Sequence, residues 1–510
     1  MFRWPLLAAL TAPLWAAQPY EEAGQLVRRG DFSQAIPLLE KLAAASPSDV
    51  KVRNLFGIAL TGAGRTSEAI AQFEQVLRSN PRFAPALKNL GVNHLQAGRT
   101  SEARRYFQRA LAVSPDDPAI RLGLGHAEFA ARDFAAAVRH FEIAGEALAW
   151  DHPGLIRHAA ACLEMKTPRK AEDALSRLPP DAAPALQFEA GVLLARLERF
   201  GGAAARFELA RGAPGVDQYK NGYNLAIAYL KTGRHRQALE TARGLLAGGA
   251  NTGEIYRLLA QAYEATGQTN EAYEALRQAI SINPKDEAAY LELIALCAEH
   301  ENNDLSLRIA GAGVRVNPES YRMRLQRGIV MALLGRFEDA QQDFAAAARM
   351  APEAPLAHVA SALVLLRTGR APEAAAAMRA RVKRRPADYL AHWLLAEALS
   401  MSGPASEAEA LAAARQSVGS NAAFPQARTL LGKLLLQRGQ AALAVQEFEQ
   451  AVRLDPANTA IAYQLAQAYR HKGEAAKADA LFSKVRLAKA EDPAQAARRT
   501  FLRILQSDTK

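Results

Sequence analysis

Proline recurs in this chain at a fixed interval. Pro47, Pro81 and Pro115 stand 34 residues apart, and so do Pro284, Pro318, Pro352 and Pro386. Between the two runs, and onward to Pro456, the phase holds to within one or two residues. A period of that length rules out a single globular core. It requires a stack of similar units, each burying its apolar side against the next, and such a stack can reach 510 residues without splitting into domains.

Each unit reads as two helices. Across 50–81, an amphipathic run carrying Phe56, Gly57 and Leu60 stops at 62–65, and a second run with Ala69, Phe73 and Val76 ends at Asn80 and Pro81. Glycine after the first run and proline after the second are helix stop signals. Thr66 and Ser67 offer hydroxyls to cap the second helix. With so short a turn, the two helices must pack antiparallel as a hairpin.

The same skeleton returns as Leu90, Gly91, Gly98, Ala103, Phe107, Ala110 and Pro115, then as Gly328, Gly335, Ala340, Phe344, Ala347 and Pro352. It appears again as Leu431, Gly432, Gly439, Ala444, Phe448, Ala451 and Pro456. Small residues at a helix crossing let the backbones approach, and the Phe fills the wedge beside them. In this pattern the chain resembles the tetratricopeptide repeat family. The resemblance implies an all-α fold, a right-handed superhelical α-solenoid. Laying the period along the chain gives about fourteen antiparallel hairpins over residues 18–492.

Two units depart from the pattern. Around Cys162 the turn glycine is replaced by Lys166 and the Phe by Leu175. In the unit ending at Pro318, Ile294, Glu301 and Ala310 stand for the first Gly, the turn Gly and the Phe, so that hairpin rests on phase alone. Segments 145–153, 178–184, 211–217 and 415–425 are irregular and read as longer turns.

At the N-terminus, Arg3 precedes an apolar stretch over 6–15 and the small residues Ala16 and Ala17, a pattern expected of an export signal covering 1–17. The mature protein is then expected in the periplasm or outside the cell. No later stretch is apolar for long enough to cross a bilayer, so no transmembrane segment is expected there, although peripheral attachment to a membrane complex is compatible with the sequence. Residues 493–510 are expected to form a capping helix and tail, with Ala497, Phe501, Leu502 and Leu505 covering the last hairpin. Cys162 and Cys297 are the only cysteines, and four repeats separate them, so both are expected as small core residues without a disulfide.

The net charge is +11, yet basic and acidic residues interleave along most units. The densest basic run is Arg379, Arg381, Lys383, Arg384 and Arg385. It ends a second helix, where cations offset the helix dipole, and no aromatic residues interleave with it. Nucleic acid is therefore not expected as a partner. Metal-protease, phosphate-loop, Cys-x-x-Cys and serine-elbow motifs are absent. His94, His126 and His358 have no second ligand at i+4 and read as packed or surface imidazoles. The expectation is a protein that is not an enzyme and has no cofactor and no metal.

In the family that the repeat resembles, first helices line a concave groove. With the small residue of each first helix as origin, the positions at minus six, minus three, plus one and plus four form one stripe. It places Lys88, Phe188, Tyr223, Arg257, Arg322, Trp393 and Tyr463 as candidates for gripping a partner, with the aromatics as anchors. Two readings fit the apolar part of this stripe: pockets for a bound polypeptide, or side chains closed against the next unit. A clamp for a C-terminal carboxylate, known in the family, is not supported, because Val92 and Gly123 stand where it needs Asn. The function that follows is a scaffold for protein partners of unknown identity. The alternative is a periplasmic component of an envelope-assembly or polysaccharide-export machinery.

Overall fold

A computed structural model describes residues 17–487. The expected export signal and C-terminal cap lie outside the described residues, apart from Ala17. Within them are 28 α-helices, joined by short turns, and no strand. The chain parts into two compact units between Ala250 and Asn251, each holding seven hairpins among the described residues. None of these helices is long and apolar enough to cross a membrane.

Local chemistry explains the repeat. Two residues after most of these prolines, an Asp, Ser or Asn caps the next first helix; Phe83 and Ala354 stand there after Pro81 and Pro352 and make no such bond. Asp49 accepts from the N–H groups of Lys51 and Val52, and Asp286 from those of Ala288 and Ala289. Ser320 and Asn458 cap the helices Tyr321–Leu333 and Thr459–Lys472 in the same way. Most second helices begin differently, although Asp133 and Asn302 cap theirs through a side chain. The capping expected of Thr66 and Ser67 is absent: the N-cap of Thr66–Ser79 is Arg65, which makes no side-chain cap bond. Gly64, at φ +75°, folds the chain back so that Arg65 N–H reaches Leu60 C=O at 2.8 Å. The helix then starts at Thr66, one residue too early for its hydroxyl to cap.

The departing units keep the fold. Lys166 and Glu301 adopt φ of 56° and 59°, the left-handed conformation that glycine takes in the other turns. The unit read on phase alone is a hairpin of Glu287–Glu299 and Asn303–Val316. The longer turn expected over 415–425 is corrected. The helix Glu407–Ser420 runs through its first half, and the irregular turn comes earlier, around Gly403 and the 3-10 turn Pro404–Ser406. Ser417, within that segment, is fully buried and donates to Tyr389 C=O at 2.8 Å, so its hydroxyl is satisfied inside the stack.

The core runs along each unit as Ala and Phe from the second helices packed on Leu and Gly from the first. Phe73, Phe107, Phe141, Phe207, Phe344 and Phe448 are all fully buried. Cys162 and Cys297 are buried free thiols, and burial pushes both above the usual thiol range. The basic run is largely neutralised: Arg379 pairs with Glu409 and Arg381 with Asp388, each at 2.6 Å, and Arg385 pairs with Glu353.

Candidate binding face

In the first unit the stripe is partly occupied by the protein itself. Lys88 Nζ lies 3.1 Å from Asp117 Oδ2, on the residue that caps the next first helix. Burial pushes the Asp117 carboxyl up, but the Lys88 ammonium and the Ala119 N–H outweigh it and hold the group below its ordinary value. One hairpin earlier, Asn89 Nδ2 donates to Asn54 Oδ1 at 3.2 Å. Polar side chains here therefore tie successive hairpins together. Phe188 is half-buried and tilted against Phe207 at 5.9 Å, and Tyr223 stacks on Tyr219 with planes 17° apart. Val92 is 36% exposed.

In the second unit Arg257 acts as Lys88 does, donating to Glu292 Oε1 from Nε and Nη2 at 3.1 and 2.6 Å. Arg322 is exposed, and Tyr463 is 44% exposed with its ring edge-on to Phe482. Trp393 does not protrude as an aromatic anchor would. It is 7% exposed, because Phe424, entering as the N-cap residue of the next first helix, closes edge-on over its ring at 5.4 Å. The stripe thus divides between the two readings: Trp393 and Leu325 are closed in, while Tyr463, Val92 and Arg322 face outward.

Trp393 still helps to line a recess of about 250 Å³ shared by three successive first helices, Tyr389–Ser400, Pro425–Gln437 and Thr459–Lys472. Glu397, Gln426, Thr429, Lys433 and Ala460 line it further. Burial pushes the Glu397 carboxyl above the usual carboxylate range, against the opposing pull of the Lys433 ammonium. Gln426 Oε1 is closed off from solvent and meets no donor. Beside an indole, the recess therefore offers acceptors at Glu397 and Gln426 and a cation at Lys433. Of the residues lining the recess, the sequence singled out Trp393 and passed over Gln426, Thr429 and Lys433. They stand at minus six, minus three and plus one from Gly432, so the same offsets carried the signal.

Comparison with known proteins agrees with the repeat. Family models of the tetratricopeptide repeat match residues 26–91, 88–147, 253–296, 298–355, 334–388, 408–456 and 435–499. The chain is similar to the crystal structure of yeast Tom70, with 15% identity, 84% of this chain and 96% of that one covered, and a TM-score of 0.41. It is also similar to the crystal structure of the APC/C hetero-tetramer Cut9-Hcn1, with 14% identity, coverage of 89% and 90%, and a TM-score of 0.36. No curated protein matches the sequence.

Proposed function

The chain belongs to the tetratricopeptide repeat family, and from that premise we propose that it is a non-enzymatic scaffold holding partner polypeptides on its first-helix face, with the recess beside Trp393 as one point of grip. The observation that carries this reading is the mixed chemistry of the recess. A polypeptide backbone brings N–H donors for Glu397 and Gln426 and C=O acceptors for Lys433, so one extended segment can satisfy all three. A photo-crosslinking residue placed at Lys433 in the native cell, with mass spectrometry of the adducts, tests it. Polypeptide adducts are expected at 433 and not at the exposed second-helix position Gln446. Equal capture at both positions, or none at 433, overturns the reading.

We also propose that the protein works outside the cytoplasm, on the strength of Arg3, the apolar stretch and the small residues that follow it. N-terminal sequencing of protein from its own cells is expected to begin near Gln18. An intact Met1 in the cytosolic fraction overturns this.

A further inference from the structure

The basic run leaves two of its cations, Lys383 and Arg384, without an ion pair, and they belong to a longer series. Five residues beyond the crossing Phe or its counterpart, in the last turn of the second helix, stand Arg315, Arg349, Lys383 and, after a hairpin with Gly419, Arg453. All four are exposed, and none has an ion-pair partner among the described residues. A cation there offsets the helix dipole, but the dipole does not require one. In the first unit, the second helices that reach this register hold Ala44, Arg78, Ala112 and Ala247. Carboxylates do not answer the series either. In the turns that follow Asn303–Val316, Phe337–Met350 and Ala371–Arg384, Glu353 pairs with Arg385 and Asp388 with Arg381. Only Glu319 is then left against Arg315, Arg349, Lys383 and Arg384.

The next residue, the last of each helix, adds an apolar part in three of the hairpins. Ile282, Met350 and Leu454 occupy that register and are 39 to 43% exposed. Equivalent positions of successive hairpins fall on one side of a stack. Along that side of the second unit, unpaired cations therefore alternate with exposed apolar side chains.

We propose that this side of the second unit docks on an anionic phospholipid surface. The cations meet the phosphates, and Ile282, Met350 and Leu454 reach the boundary between headgroups and acyl chains. What the two registers keep is charge and apolarity, not shape: Arg gives way to Lys, and Ile to Met and Leu. A fluid headgroup layer reads those two properties alone, whereas a folded protein partner selects shape as well. Duplex nucleic acid would satisfy the cations but leave the apolar side chains in water. No aromatic residue of the second unit occupies either register to stack on a base. Docking of this kind is peripheral and needs no membrane-crossing helix. It uses helix ends away from the first-helix stripe, so it stands or falls apart from the scaffold reading.

The test is flotation of the full chain with vesicles of phosphatidylcholine alone, and of phosphatidylcholine mixed with phosphatidylglycerol, at low salt and at roughly 1 M salt, where the screening length falls to about 3 Å. Binding is expected only to the anionic vesicles and is expected to weaken at high salt. Each cation removed should weaken it about fivefold, so Arg315→Gln, Arg349→Gln and Lys383→Gln together should weaken it about a hundredfold. A control triple in the first unit, Lys41→Gln, Lys51→Gln and Arg78→Gln, loses the same net charge from exposed positions and should leave binding unchanged. Circular dichroism checks that both triples keep their helices. Equal binding to neutral vesicles, no binding to anionic ones, or the same loss in both triples overturns the proposal. Binding of polyglutamate or duplex DNA through Arg315, Arg349 and Lys383, with none to vesicles, overturns it too and assigns the series to that partner.

Discussion

Gly328 lies against the ring of Phe344, so close that a methyl group at 328 would stand 2.6 Å from Phe344 Cε1. The same contact recurs for Gly57 with Phe73, Gly91 with Phe107, Gly125 with Phe141, Gly191 with Phe207 and Gly432 with Phe448, always sixteen residues apart. Where the first residue is larger, the sixteenth is mostly smaller: Ala159 faces Leu175 in register, Ala226 faces Ala242, and Ile294 faces Ala310. The crossing conserves volume rather than identity.

Phe344→Ala is therefore expected to cost about 3 to 5 kcal/mol through the cavity it leaves, and Gly328→Ala about 1 to 3 kcal/mol through overpacking. Each repeat rests only on its neighbours, so hydrogen exchange should rise first in 287–316 and 355–384 and leave distant hairpins unchanged. Uniform loss of protection along the chain would contradict a stack of this kind.

The turns carry a second prediction. Arg132, Lys166, Glu198 and Glu301 hold the left-handed conformation with φ between 56° and 62°, where side chains are strained. Lys166→Gly and Glu301→Gly are each expected to stabilise the chain by about 0.5 to 1 kcal/mol, the relieved strain exceeding the added freedom of the unfolded chain. Gly335→Ala, at φ +75°, should destabilise it by about 1 kcal/mol. Chemical denaturation monitored by circular dichroism checks all three signs.

These same turns show what was legible in the sequence. Period, hairpin and crossing could be read because they depend on residue size at fixed spacing. Glu301 kept its turn although its glycine is gone, since neighbouring repeats impose the geometry and the sequence records only the strain. The cap of the helix Thr66–Ser79 was misread because Thr66 is one residue out of step with a turn set by Gly64. The candidate face was half legible. Its register came from Gly91 and its equivalents, but whether a residue on it is open depends on its neighbours, as Phe424 over Trp393 and Asp117 beside Lys88 demonstrate.

Asp343, 4% exposed, accepts two bonds of 2.6 and 2.7 Å from the half-buried Arg327, at a site where most repeats hold leucine. Asp343→Ala leaves the half-buried guanidinium without its partner and is expected to cost about 1 to 3 kcal/mol. Adding Arg327→Leu restores the common residue of the register and should recover most of that loss. A double-mutant cycle in urea measures the recovery; equal stability of the single and double variants would show that the charge was never confined.

Glu397 links stability to pH through its place in the recess. Burial raises its proton affinity in the folded state, so between the usual glutamate value of about 4.3 and the raised one the folded chain holds a proton that the unfolded chain has released. Unfolding then releases protons, and stability contributed at this position is full below the ordinary value and is lost as pH rises through the folded one. Glu397→Gln removes the titration. It should flatten the fall in melting temperature over that window and melt higher than the parent at neutral pH. A bound polypeptide that donates an N–H to Glu397 favours the ionised carboxylate, so the partner identified by crosslinking at 433 should narrow the same difference. If Glu397→Gln melts lower than the parent at neutral pH, the ionised carboxylate is already satisfied by Lys433, and the recess has one fewer acceptor to offer.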